Sequence, residues 1–335
     1  MKDKNTDGHH HDQIPNDDGI DREGFIKCMA WAGTGVLWLM SGGGLKAFGM
    51  SQLIDKHTGE LKKGIALPAS DFSFVQISDS HLGFNKPANP DVAGTLQAAI
   101  AKINAMQQTP AFILHTGDLT HLSQPEEFDG VDQILKSAKA EKIFYVPGEH
   151  DVLNDNGKQY LQRYGKGTKG NGWYSYDYNG VHFVALVNVI DTAEGGLGVL
   201  GNDQLNWLED DLKAVSNSTP VVVFAHIPLW AVYTQWGWGT RDSERALLLL
   251  KRFGSVSVLN GHIHQTMLKT EGNITFHSAC STAFPQPKPG EAPSPGPMKV
   301  PAEKLRDVLG LTSVHYMEHN HSLAITDIAL SESEK

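Results

Sequence analysis

The chain predicts an α/β domain with one mixed β-sheet or two. Two observations carry that prediction. From residue 71 onward, apolar runs of strand length alternate with amphipathic helical segments. Two pairs of runs are also joined by tight-turn sequence, at Asn179-Gly180 and at Glu271-Gly272-Asn273. The elements, in order, are strands at 72–77, 111–115 and 142–146, with helices at 91–106 and 124–138 between them. A hairpin follows over 173–178 and 181–189, then a helix over 203–215. Residues 221–224, β-branched and without interruption, read as a buried strand. A helix at 243–253, a strand at 256–260, the second hairpin and a last strand at 322–328 complete the series. Residues 285–301 hold seven prolines and read as an extended surface loop.

Composition narrows the chemistry. Lys and Arg total 28 against 38 Asp and Glu, a formal charge of -10. That balance argues against a nucleic-acid polymer as ligand and against broad adhesion to an anionic membrane. Two cysteines, Cys28 and Cys280, exclude a disulfide framework and a four-cysteine zinc site. Sixteen histidines are the unusual count, so any bound metal is held by imidazole and carboxylate.

The N-terminal part reads differently. Residues 1–24 are a polar tail of disordered composition that includes His9, His10 and His11. Residues 25–50 form a hydrophobic, signal-like segment whose apolar run, 28–40, is too short to span a bilayer as a helix. The preceding Arg22-Glu23-Gly24-Phe25-Ile26-Lys27 resembles a twin-arginine export signal in which Glu23 stands where the second arginine belongs. The expectation is export to the periplasm, with a membrane tether if this segment is retained. Residues 51–70 read as a linker and 71–335 as one domain.

Five polar clusters follow predicted strands: Asp79-Ser80-His81, Gly117-Asp118, Gly148-Glu149-His150-Asp151, Ala225-His226 and Gly261-His262-Ile263-His264. Strand C-termini gather along one edge of an α/β sheet, the usual place for a site. Strand alternation would point Asp79 and His81 to one side, and likewise His262 and His264. With Asp118 and His226 they offer nitrogen and oxygen donors to more than one metal, a set suited to Zn, Mn, Fe or Co. The glycines before Asp118, Glu149 and His262 would let backbone pass close to the site.

These clusters resemble the calcineurin-like metallophosphoesterases, whose pattern is DxH, GD, GNH[DE], xH and GHxH. The resemblance covers about residues 71–280. It implies a four-layer αββα sandwich, two mixed sheets flanked by helices, with a dinuclear metal centre at the strand ends. Residues 71–335 would then be the catalytic domain. One metal would take Asp79, His81, Asp118 and His264; the other would take Asp118, Glu149, His226 and His262. His150 would face the phosphate, and Asp151 would orient it. A metal-bridging hydroxide would attack phosphorus in line. The cofactors implied are two divalent or trivalent ions (Mn, Fe, Zn or Co), and the partner is a small phosphoester substrate.

One position departs from the pattern. Glu149 stands where the family has Asn, adding a charge and a longer arm; coordination of the second metal is the expectation. His121, three residues after Asp118, occupies the place of the iron-binding tyrosine of purple acid phosphatases. It is a further candidate ligand, with a supporting role as its alternative. His115 reads as a core histidine with its hydrogen bonds made, and Cys280 as a small buried residue. The loop after His226 offers Trp236, Trp238 and Arg241 for substrate binding. The expected function is a phosphodiesterase, with a phosphomonoesterase of the purple-acid type or a non-catalytic binding protein as alternatives.

Overall fold

The computed structural model describes residues 36–41, 44–49, 71–317 and 322–331. It divides after Ile54. In the N-terminal unit, β1 (Val36–Ser41) and β2 (Gly44–Gly49) form an antiparallel hairpin. The end of the apolar run is thus strand. The polar tail, the arginine-containing stretch and the 51–70 linker lie outside the described residues. No helix among the described residues is long and apolar enough to cross a membrane.

The second unit holds two sheets. The first is built from β3 (Phe72–Ile77), β4 (Phe112–His115), β5 (Lys142–Tyr145), β12 (Gly310–Met317) and β13 (Ser322–Ala329), ordered β13-β12-β3-β4-β5. The second contains β6 (Tyr174–Tyr178), β7 (Val181–Ala185), β8 (Val221–Phe224), β9 (Val256–Asn260), β10 (Met267–Glu271) and β11 (Ile274–Ser278), ordered β10-β11-β9-β8-β7-β6. Both are mixed: β3, β4 and β5 run parallel, as do β7, β8, β9 and β11, and antiparallel strands lie at the margins.

The layering follows from alternation along the strands. Phe72, Phe74, Phe112, Leu114, Phe183, Val222, Phe224 and Leu259 meet between the sheets. Phe183 sits edge-on to Phe74 and Phe112, at 5.6 and 5.3 Å. The alternate residues turn outward. Val75, Ile77 and Ile113 pack against α1 (Val92–Asn104) and α2 (Pro125–Leu135). Val184, Val221, Val223, Val256 and Val258 pack against α4 (Asn202–Lys213) and α5 (Ser243–Leu250). Three separate apolar clusters thus make the αββα sandwich that the sequence implies. A short α3 (Lys158–Tyr164) and α6 (Leu305–Val308) complete the helices described.

Local chemistry sets the boundaries. Asp91 caps α1 by accepting from the Gly94 N–H at 2.8 Å, so that helix starts one residue later than expected. Pro125 opens α2, and Glu127 accepts from the Gln124 N–H at 3.2 Å. The Asn179-Gly180 turn has φ of 43° and 81°, both positive as the tightest hairpin requires. β12 and α3 have no counterpart in the sequence reading. β12 is buried almost throughout, but Gly310, Thr312, Ser313 and His315 break both its apolar run and any two-residue period. Seven residues are too few for α3 to show a helical one.

One polar network at the margin of the second sheet yields a prediction. The His182 ring meets Asp177 Oδ1 at 2.8 Å and Asp211 Oδ2 at 2.9 Å, one carboxylate per nitrogen. Burial opposes its protonation, but Asp211 and Asp177 outweigh burial and raise its pKa above the ordinary 6.5. A raised histidine pKa contributes stability that is complete below the unfolded value, about 6.5. That contribution is lost as pH climbs through the folded value. His182→Gln should therefore lower Tm most near pH 6, by roughly 4 °C, and by progressively less toward pH 9. A pH-independent Tm difference would show that the ring acts by packing alone.

Candidate metal centre

The five clusters come from both sheets. The loops after β3, β4 and β5 supply Asp79, His81, Asp118 and Glu149, and those after β8 and β9 supply His226, His262 and His264. The sheets meet at this end through Gln76, whose Nε2 donates to Thr116 Oγ1 at 3.0 Å and to the Asn260 carbonyl at 3.2 Å.

Among the described residues, four overlapping groups that could hold a metal result; two of them, His81 with His121 and His150, and Asp118 with Glu149 and His150, share residues with the pair described next. In the first, Asp79, His81, Asp118 and His264 are all buried and bring one donor atom each into a common space. His81 Nε2 lies 3.2 Å from His264 Nε2 and 3.4 Å from Asp118 Oδ2, and His264 Nε2 lies 3.2 Å from Asp79 Oδ1. The second group is Glu149, His226 and His262. Glu149 presents Oε2 to His226 Nε2 at 3.0 Å and Oε1 to His262 Nδ1 at 2.9 Å. Asp118 Oδ2 joins the groups, 3.4 Å from His81 Nε2 and 3.4 Å from His226 Nε2. Its other oxygen accepts from the His150 N–H at 2.9 Å.

These residues fit dications. His226 Nε2, both ring nitrogens of His262 and Glu149 Oε2 are buried without a hydrogen-bond partner, and one donor atom from each of the three residues converges. A buried polar atom left unpaired is costly, and a cation would satisfy His226 Nε2, Glu149 Oε2 and one nitrogen of His262 together. The remaining imidazole nitrogens are anchored to backbone: His226 Nδ1 meets the Thr116 carbonyl at 2.7 Å and His264 Nδ1 the Phe284 carbonyl at 2.6 Å. Those bonds leave Nε2 of each ring facing the site. Protonation states agree. Burial would raise the Asp79 pKa, but His264 and His226 overcome it and hold the carboxyl at about 2. Burial likewise opposes Glu149 ionisation, and His262 and His226 drive its pKa well below the ordinary value. Burial, then the neighbouring His150, His264 and His121, keep His81 neutral and able to donate a lone pair.

The backbone at the site departs from the strand geometry expected of it. Asp79, His81, Asp118, His262 and His264 all have positive φ, between 41° and 70°. They make up five of the eight described non-glycine residues with positive φ. Each lies beyond its strand, so alternation does not set its direction. His262 and His264 diverge as a result, one into each group. Surrounding bonds hold this conformation: Asp79 N–H to the Gly117 carbonyl at 3.0 Å, His81 N–H to the Asp118 carbonyl at 2.9 Å, and His262 N–H to Asp79 Oδ1 at 3.1 Å. Close approach explains two glycines. A Cβ on Gly148 would collide with the Asp118 carboxylate and amide nitrogen, and one on Gly261 with the Ser78 hydroxyl.

Asp151 does not orient His150. Its carboxylate accepts from the N–H groups of Leu119, Thr120 and Gly148, at 3.1, 2.8 and 2.9 Å, and from the Thr120 hydroxyl at 2.9 Å. It ties the Asp118 loop to the Glu149 loop. The His150 ring is held instead through Nδ1, 2.6 Å from the His121 carbonyl. The His121 ring stacks on His150, and its Nδ1 lies 3.5 Å from His81 Nδ1, the nitrogen opposite the one that faces the metal group. His121 thus lies outside the Asp79, His81, Asp118 and His264 group, but with His81 and His150 it forms a further group that could hold an ion.

Other expectations change as well. Trp238 is 1 % exposed and edge-packed on Trp236 at 5.1 Å, so it is part of the fold rather than an open stacking platform. Trp236 is half-buried, and Arg241 is exposed, its N–H bonded to the Gly198 carbonyl. Cys280 is half-buried, with its sulfur 3.3 Å from the Thr266 hydroxyl. His115 is buried and meets Ser80 Oγ at 2.8 Å, but its Nδ1 has no partner. The aromatic residues beside the metal group are Phe84 and Phe284. Phe284 stacks on His81 at 4.8 Å and lies 4.8 Å from His264, with Phe84 packed on it at 4.4 Å. Sequence reasoning missed both; the only available signal was the position of Phe284 at the head of the proline-rich loop. Gln265 and Gln286 fasten that loop to the 262–265 turn.

Paired imidazole–carboxylate groups sharing one aspartate, at the strand ends of a double-sheet sandwich, define a metal-dependent hydrolase of phosphate esters. The calcineurin-like phosphoesterase family model matches residues 72–266, more than half of the chain, and the protein belongs to that family. The chain is 24% identical over 218 residues to a 3',5'-cyclic-nucleotide phosphodiesterase of Nostoc sp., covering 63% of this chain and 79% of that protein. It is 25% identical over 226 residues to a glycerophosphodiester phosphodiesterase of Enterobacter lignolyticus, covering 64% of this chain and 78% of that protein. Among solved structures, a dimetal phosphatase from Danio rerio shares the fold with a TM-score of 0.56 at 16% identity, covering 78% of this chain and 97% of that one.

Proposed function

We propose that this protein is a phosphodiesterase using two metal ions, one held by Asp79, His81, Asp118 and His264 and the other by Asp118, Glu149, His226 and His262. The observation that carries this reading is Asp118 Oδ2, equidistant from a histidine of each group. Two dications held there supply Lewis acidity at phosphorus and a nucleophile near neutral pH. The chain does the rest. His150, its Nδ1 fixed on the His121 carbonyl, is oriented to hold a proton for the leaving oxygen. Phe84 and Phe284 close one side of the first group to water. Relatives named for cyclic-nucleotide and glycerol phosphodiesters favour a small diester as substrate.

The test is a panel of a 3',5'-cyclic nucleotide, a glycerophosphodiester, bis-p-nitrophenyl phosphate and p-nitrophenyl phosphate, run with Mn, Fe, Zn and Co. Diester turnover exceeding monoester turnover is expected; monoester preference under every metal would overturn the diester reading. Glu149→Asn in the same panel should remain active, within about tenfold, with a different order of preferred metals. An unchanged order would remove Glu149 from the ligand set. We also propose export, supported by the Arg22–Lys27 stretch and the apolar run after it. Recovery of the protein from the cytoplasmic fraction alone would refute export.

A further inference from the structure

We propose that His121 is a positioning residue that supports two functional histidines at once: the ligand His81 through its ring nitrogen, and His150 through the face of its ring. The proposal rests on the metal-site reading above and extends it to a residue outside the ligand set.

His121 is not a member of the Asp79, His81, Asp118 and His264 group, although His81, His121 and His150 also lie close enough together to hold an ion, which the experiment below separates from a positioning role. His81 turns Nε2 toward Asp118 and His264. His121 meets the other nitrogen, Nδ1 to Nδ1 at 3.5 Å, the outer limit of a hydrogen bond. When Nε2 of His81 gives its lone pair to a cation, the ring's proton stays on Nδ1, and His121 Nδ1 is the acceptor it faces. A metal-bound histidine whose second nitrogen is engaged keeps its tautomer and ring angle, and loss of such a partner costs about 10–100-fold in affinity or activity. His81 is further braced by the Phe284 ring stacked at 4.8 Å and by His150 edge-on at 4.7 Å. His121 is the member of this group that supplies a polar contact to His81.

The second arm is the stack. His121 and His150 lie nearly parallel, 16° apart with centroids at 4.9 Å. The His121 carbonyl takes His150 Nδ1, so the two contacts fix the tilt and rotation of the His150 ring together. Phe84 backs His121 edge-on at 5.1 Å, which keeps the supporting ring from swinging away. The carbonyl survives any substitution of His121, so mutants report on the ring alone.

The two arms are separable by substitution in the full-length protein. His121→Asn keeps a polar atom near the Nδ1 position and loses the stack. His121→Phe keeps the stack and loses the nitrogen. His121→Ala loses both. Titration of metal-stripped protein with Mn²⁺ by calorimetry should show affinity reduced about tenfold or more in the Phe and Ala variants. The Asn variant should stay within about threefold of the parent. At saturating Mn²⁺ and with bis-p-nitrophenyl phosphate, kcat should fall about tenfold in the Ala and Asn variants and less in Phe, with KM within about twofold throughout. Affinity and kcat that are both unchanged in His121→Ala would overturn the proposal. So would loss of a whole metal equivalent in that variant, which would make His121 a ligand. Equal defects in the Asn and Phe variants would overturn the division between the two arms. The calorimetric readout is independent of substrate, so a wrong diester assignment leaves it standing.

Discussion

Asp118→Asn is expected to lower kcat by at least about 10³-fold and to reduce bound metal below two equivalents per chain. The substitution is nearly isosteric, so the fold should survive. What changes is the single oxygen that faces both histidine groups, Asp118 Oδ2, 3.4 Å from His81 Nε2 and 3.4 Å from His226 Nε2. An amide cannot share a negative charge between two cations. It also cannot serve both neighbours by flipping, because Oδ1 already accepts the His150 N–H, and an NH₂ group there would set two donors against each other. The check is kcat alongside elemental analysis of the purified variant. Full activity with two metals retained would show that Asp118 is not shared.

Gly148→Ala is expected to disrupt the site severely. Gly148 has φ of -96°, which alanine tolerates, so its effect is purely one of space. The new Cβ would meet the Asp118 carboxylate, its amide nitrogen and its Cγ, the last at 2.6 Å. Backbone cannot yield as a flexible side-chain tip can. The Gly148 N–H is moreover bound to Asp151, which also holds Leu119 and Thr120. Relief therefore requires the Asp118 and Glu149 loops to part, which separates the two metal groups. Overpacking of this kind costs about 1–3 kcal/mol. A Tm drop of several degrees, together with loss of turnover, is expected. Gly254→Ala is the control, since its Cβ would meet only the Asn217 carbonyl at 3.8 Å. Equal effects from both variants would show that the collision at Gly148 is relieved at no functional cost.

The fold was legible because strand and helix periods are local properties. β3, β8 and β9 appear at their observed bounds in the apolar-rich stretches Phe72–Ile77, Val221–Phe224 and Val256–Asn260, of which only the second is unbroken. β12 was hidden because Gly310, Thr312, Ser313 and His315 interrupt its apolar residues, leaving neither an apolar run nor an alternation to read. The 36–41 strand was hidden because an uncharged apolar run says nothing of its backbone conformation.

At the site, residue types and their order along the chain were enough to assemble the donors: Asp79, His81, Asp118, Glu149, His226, His262 and His264 are local motifs, each following a strand. Their directions were not. Positive φ at Asp79, His81, Asp118, His262 and His264 is imposed by hydrogen bonds between loops distant in sequence, so it cannot be read from any one segment. The same holds for the partners of each side chain. Asp151 was expected to orient its neighbour His150, and instead binds backbone some thirty residues away. His121 was a candidate ligand by its spacing from Asp118, and only the fold shows that its Nδ1 meets the Nδ1 of His81, on the side away from Asp118 and His264. Trp238 was offered to substrate, and packing took it into the interior. The sequence by itself determined which atoms could bind metal and on which layers they stand. The tertiary structure decided which donor atoms converge, which rings stand beside them and which only pack, because those relations depend on distances between loops that nothing in the local chain encodes.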